Sequence, residues 1–179
     1  MDSPALFLVS CVMARRPPPA LDRIDIKILA TLQEHGRMTI QRLADIVGLS
    51  PRPSLERVRR LEAGGIIIGY QAVIDLDKLR RPVTVFTEVA LEKQAHRARF
   101  ERYLADLDEA VECWEVSGAS DYLIRFVCLD LVSYDALTTA MSENPALGVA
   151  RTVSHIALRP VRRFKGYPNR LLAPEPRKP

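Results

Sequence analysis

The sequence predicts an α+β protein of two modules, an N-terminal winged helix-turn-helix followed by a C-terminal ferredoxin-like βαββαβ domain. Three observations carry this. Apolar residues recur at helical spacing in three short capped segments between residues 20 and 65. After Arg80-Arg81-Pro82 the pattern changes to the two-residue alternation of strands. Charge divides along the same line: residues 20–70 carry 8 Lys+Arg against 6 Asp+Glu, residues 82–158 carry 6 against 12, and residues 159–179 carry 7 against 1. An acidic middle between basic ends fits two modules, with nucleic acid as the partner of the basic parts. A chain of 179 residues with 47% apolar content has material for two packed cores.

In the first module Leu21, Ile24, Ile28, Leu29 and Leu32 share one helical face. Asp22 is placed to cap that helix, with Asp25 as its reciprocal partner three residues on, and Gly36 closes it. Thr39 caps a second helix built on Ile40, Leu43, Ala44 and Val47, which stops at Gly48. Ser50 caps a third, with Pro51 at its first position, where a missing N–H costs nothing. It runs to about Ala63 and ends at Gly64-Gly65. Ile66–Tyr70 and Ala72-Val73-Ile74 then read as strand.

In the second module Val83–Leu91 reads as a strand, and Arg97, Phe100, Tyr103, Leu104 and Leu107 mark a helix. Val111–Val116 and Tyr122–Val127 are strands joined by Ser117-Gly118-Ala119-Ser120-Asp121. Val132–Ser142 is a helix ended by Asn144-Pro145, and Val149–Leu158 is the last strand. The order β-α-β-β-α-β places four antiparallel strands beneath two helices on one face. The expected divisions are a loosely docked or unstructured leader (1–19), the helix-turn-helix domain (20–70), a linker strand and hinge (71–81), the sheet domain (82–158) and a basic, proline-rich tail (159–179).

Several chemistries find no support in the residues. Cys11, Cys113 and Cys128 form no CxxC pair, which argues against a disulfide framework or a zinc site and for a reducing cytoplasm. The apolar run Ala5–Met13 is too short to span a bilayer, so no membrane partner is expected. There is no glycine-rich phosphate loop, no nucleophile elbow and no metal-ligand spacing among His35, His96 and His155, so neither an enzyme, a cofactor nor a metal is expected.

The third helix points instead to DNA. Leu55, Val58 and Leu61 fall on its core side, with Arg52, Glu56 and Arg60 opposite and Arg57 and Arg59 on the flanks. Ser50 and Ser54, with the first-turn N–H groups, suit a phosphate at a helix N-terminus, and the arginines suit guanine edges or phosphates. The competing reading is a solvated face in which Glu56 pairs with Arg52 and Arg60 at i±4 spacing. Four arginines against one glutamate directly after a capped turn favour DNA. The expected contact set is Ser50, Arg52, Ser54, Arg57, Arg59 and Arg60.

These motifs together resemble a known family. Leu21-Asp22-Arg23-Ile24-Asp25, Ile28-Leu29, Gly36-Arg37, Val47-Gly48-Leu49-Ser50-Pro51, Leu55–Glu62 and Gly65-Ile66-Ile67 are similar to the Lrp/AsnC (leucine-responsive, feast/famine) transcriptional regulators. Ser117–Tyr122 resembles that family's Gly-x-x-Asp-Tyr element. The resemblance runs from about Leu21 to Arg162. It implies that residues 82–158 sense a small molecule, with amino acids as the usual effectors, and mediate self-association. It implies effector contacts at Gly118, Asp121, Tyr122 and Ser154.

On the residues alone, Asp121 either holds an α-ammonium group or only shapes its turn. Ser154 and His155 point to opposite faces, so at most one lines a given pocket. Both sides of the first strand are apolar, Val83, Val85 and Val89 on one and Phe86 and Ala90 on the other, which argues for a homodimer through the sheet and for higher oligomers. The alternative is a tetrapyrrole (haem-pathway) decarboxylase-like protein of similar architecture, which gives the arginine-rich helix no use. A stand-alone sensor without DNA contacts would likewise leave that helix idle.

Overall fold

The computed structural model describes residues 21–172, which divide into two compact units. One is formed by the residues up to Val73 together with those from Arg162, the other by Ile74–Val161. The leader and the final residues of the tail lie outside the described residues.

In the first unit, α1 (Arg23–Glu34), α2 (Ile40–Val47) and α3 (Pro51–Ala63) follow the sequence signals closely. Asp22 and Asp25 form the capping box: Asp22 Oδ1 accepts from the Ile24 and Asp25 N–H groups, and Asp25 Oδ2 accepts from the Asp22 N–H. Thr39 caps α2, which ends at Gly48 with φ of 79°, a left-handed conformation that a side chain would strain. The three helices meet over Ile28, Leu29, Leu43, Val47, Val58 and Leu61.

One feature of this unit differs from expectation. Residues 66–74 form no strand. Ile66 and Ile67 fold under the helices, with both N–H groups on the Leu61 carbonyl, while Ile68 and Val73 are 80% and 90% exposed. A strand needs a neighbour to take its N–H and C=O groups, and among the described residues no strand pairs with this stretch. The tail, in contrast, is partly structured. A short helix, α6 (Asn169–Leu172), brings Leu172 against the three-helix core, and the Gln33 side-chain amide clasps the Tyr167 backbone by accepting from its N–H at 2.6 Å and donating to its carbonyl. Gly166 passes so close that a Cβ there would meet the Gln33 Cβ at 3.0 Å.

The second unit is an antiparallel four-stranded sheet in the order β2-β3-β1-β4, with β1 at Val83–Leu91, β2 at Ala110–Glu115, β3 at Tyr122–Cys128 and β4 at Val149–Ile156. Helices α4 (Arg97–Ala105) and α5 (Leu131–Glu143) connect them in βαββαβ order. Val85, Val89, Tyr122, Ile124, Phe126 and Cys128 point to the helix side and pack with Phe100, Leu104, Tyr134, Met141 and Leu147. Their alternates Phe86, Leu123 and Val127 lie on the opposite face, which no helix of this unit covers. Thr87, fully buried at the centre of β1, is satisfied by Tyr134 Oη, which also bonds the Ser154 hydroxyl.

Candidate DNA-reading surface and sensing turn

The arginines of α3 do not behave as one group. Arg52 is 91% exposed and touches Glu56 across one turn at 3.3 Å, an exposed contact worth little and readily exchanged for a phosphate. Arg59 is exposed. Arg57 is drawn inward: its Nη1 lies 2.6 Å from Asp22 Oδ2 and 2.8 Å from Asp25 Oδ1. Arg60 is 61% exposed, with Nη2 on Asp25 Oδ2 at 2.7 Å. Asp22 is held below the ordinary carboxylate range first by the Asp25 N–H and then by the Arg57 guanidinium.

The serines differ as well. Ser54 is fully buried, and its hydroxyl donates to the Ser50 carbonyl at 3.0 Å, so it has no reach to a phosphate. Residues 54, 58 and 61 form the buried face of α3, with Leu55 only half-buried. Ser54 thus takes the buried position expected of Leu55, beside Val58 and Leu61. Ser50 precedes α3, makes no side-chain cap bond and remains exposed. The structure thus brings Ser50, Arg52, Arg59 and Arg60 to the surface together and takes Ser54 and most of Arg57 out of it. No local pattern signalled the role of Asp25, because its α3 partner Arg57 is 32 positions away.

In the second unit the turn between β2 and β3 is held from several sides. Asp121 Oδ2 accepts from the Leu91 N–H at 2.8 Å and Oδ1 from Arg97 Nη2 at 3.0 Å. The Leu91 N–H, then Arg97, hold the Asp121 carboxyl below its usual range. Arg97 also pairs with Glu115, so the carboxylate and guanidinium lock the turn to the end of β1 and the start of α4. Ser120 donates to Glu88 at 3.0 Å, and Arg151 donates to the Ala119 carbonyl at 3.2 Å.

Gly118 sits at the crest with φ of 123° and open space beside it. Tyr122 is buried on the helix side, where its hydroxyl donates to Glu101 at 2.7 Å. Ser154 is turned toward Tyr134. Of the expected effector contacts, Gly118 and Ser154 are exposed, the latter with its hydroxyl bonded to Tyr134, while Asp121 is engaged in shaping the turn and Tyr122 is buried between sheet and helices. Among the described residues no cluster of His, Cys, Asp and Glu could hold a metal, and no helix is long and apolar enough to cross a membrane. Burial pushes the Cys113 thiol up to about 11, which favours the protonated thiol over the thiolate.

Comparison with known proteins covers both units. Residues 21–68 match the winged helix-turn-helix DNA-binding family, and residues 84–166 match the Lrp/AsnC ligand binding domain. The Bkd operon transcriptional regulator of Pseudomonas aeruginosa is 44% identical over 79% of this chain and 93% of its own length. The leucine-responsive regulatory protein of Escherichia coli is 42% identical over 69% of this chain and 76% of its own. Among solved structures, a transcriptional regulator from Neisseria meningitidis in complex with L-Met superposes with a TM-score of 0.80 at 28% identity, covering 86% of this chain and 99% of that one. An AsnC family regulator from Agrobacterium tumefaciens gives 0.77 at 30% identity, over 85% and 99% of the two chains. A helical unit with an arginine-lined third helix, a βαββαβ domain following it in sequence, and relatives that match across both leave one assignment: the chain belongs to the Lrp/AsnC family of transcriptional regulators.

Proposed function

We propose that this regulator reads DNA through Ser50, Arg52, Arg59 and Arg60, and that an amino acid bound in residues 82–158 adjusts its DNA binding and oligomeric state. The observation that carries the proposal is the outward ridge of arginines on α3, which follows a capped turn and stands on a packed three-helix unit. A helix of this kind enters the major groove with its N-terminal residues at base edges and its hydroxyls and N–H groups on phosphate. The family is one of DNA-binding regulators and not of enzymes, which sets the decarboxylase-like reading aside.

An amino acid as effector is supported by the L-Met complex of the Neisseria meningitidis relative. The site is proposed at a subunit junction beside the Gly118 turn, where open backbone offers N–H groups to a carboxylate, with Asp121 holding the turn in shape. The sheet face bearing Phe86, Leu123 and Val127 is proposed to pair with a second copy, giving a homodimer that assembles further. Such a dimer spaces two reading helices for half-sites about 34–36 Å apart or a multiple of that. The cytoplasm is the proposed location.

Selection of bound fragments from genomic DNA, followed by calorimetric titration of an amino-acid panel, tests the whole. Sequence-selective DNA binding that shifts with one amino acid is the expected result. No selective binding, or no amino-acid response at millimolar concentration, overturns the corresponding half.

A further inference from the structure

We infer that Asp25 of α1 is a positioning residue for DNA recognition, which sequesters the charge of Arg57 and orients the guanidinium of Arg60. The inference rests on the DNA-reading proposal above and deepens it. Asp25 carries a carboxylate that is only 1% exposed, at the N-terminal end of a helix other than the reading one. Three donors satisfy it: the Asp22 N–H at 3.1 Å, Arg57 Nη1 at 2.8 Å and Arg60 Nη2 at 2.7 Å. A carboxylate so deeply placed is held there only by such partners. Its position is in turn set by the capping box and by α1 packing, so it acts as a fixed anchor from which α3 takes its rotation.

The two arginines are left in different conditions. Arg57, 25% exposed, is shared between Asp22 and Asp25, and its charge is cancelled within the protein. It offers little to a passing phosphate. Arg60 is tied by one nitrogen and is otherwise open, so its planar fork is held in a set direction while its remaining donors stay free. A guanidinium fixed before binding loses less freedom when it pairs with a guanine edge or a phosphate, and planar orientation is what distinguishes arginine from lysine in such pairing.

The same anchor thus lowers indiscriminate attraction to phosphate through Arg57 and sharpens directed contact through Arg60. Specificity is the ratio of selective to indiscriminate binding, and both effects raise it.

The experiment uses the full chain, a duplex selected from genomic DNA by the unmodified protein, and an unrelated duplex of equal length. Each is titrated over a range of salt with the unmodified protein, Asp25→Asn and Arg60→Lys. Asp25→Asn is expected to lower the ratio of selective to indiscriminate affinity about tenfold, while its salt slope on the unrelated duplex steepens by about one to two as released arginines reach phosphate. Arg60→Lys, at an exposed position, keeps the slope and lowers the ratio.

A folded Asp25→Asn protein with unchanged ratio and slope would falsify the inference. If that variant does not fold, Arg60→Lys decides: full retention of selectivity means that the anchored guanidinium reads nothing, and the inference falls. Absence of selective binding by the unmodified protein counts instead against the DNA-reading proposal itself.

Discussion

The carboxylate of Asp121 lies 2.8 Å from the backbone N–H of Leu91, bonding a turn between two strands to the end of a third. Because the native state holds the Asp121 carboxyl below its unfolded value, it contributes stability above about pH 4 that is lost as the pH falls through the native-state value. Asp121→Asn is therefore expected to lower the melting temperature at pH 7, with the gap from the unmodified protein narrowing toward pH 3. Thermal melts across that range check this. A constant gap would mean that the charge contributes nothing, and an unchanged melting point with lost effector binding would move Asp121 from the turn into the effector site.

Tyr134→Phe removes the side-chain hydrogen-bond partner of the fully buried Thr87 hydroxyl. The expected loss is about 1–3 kcal/mol, the cost of leaving a buried polar group unsatisfied. Equilibrium unfolding in urea measures it, and replacing Thr87 with Val in the same background should restore part of the loss.

Arg52 and Arg59 are predicted to serve DNA and not the fold. Replacing either with Ala should change unfolding free energy by less than about 1 kcal/mol, as exposed pairs do. A contact to a base should cost about 1–3 kcal/mol on selected DNA and relax specificity at one position, whereas a phosphate contact weakens all sequences alike. Unfolding curves beside binding isotherms separate the outcomes, and full-strength binding by both variants would remove them from the reading surface.

Leu172→Ala should loosen the helical reader even though it lies far from α3 in sequence. Partial burial against the three-helix core sets the expected loss at about 1–2 kcal/mol, below the range for fully buried leucines. Hydrogen exchange of α1 amides is the direct readout, with faster exchange near Leu32 and Gln33 expected; unchanged protection would show the tail to be incidental to the reader.

The elements of the fold were legible because each has a local cause. Capping residues and glycines marked the helix ends at Asp22, Thr39 and Gly48, and the period of apolar residues separated helices from strands. What the sequence concealed depends on distant contacts. Ile66–Ile74 has the composition of a strand, but composition cannot supply the neighbour that a strand requires. Periodicity on α3 marked Leu55 as core, whereas the small Ser54 is the residue buried there, its hydroxyl satisfied within the helix by the Ser50 carbonyl. Arg57 looked like one more surface arginine because nothing near it announces Asp25. The Asp121 carboxyl was open to two roles on sequence, and its two bonded oxygens favour the shaping one.

The seal that Leu172 places on α1 has a bearing on how the protein is made. The three helices leave the ribosome before the sheet domain, yet the cluster against which Leu21 and Ile24 pack also takes in Leu172, which is translated after the whole sheet domain. At roughly 5–20 residues per second the nascent helices wait on the order of ten seconds for Leu172. A product truncated within the sheet domain carries its reader helices without this seal. The packing of Leu172 on the three-helix cluster thereby follows completion of the sheet domain on the same chain.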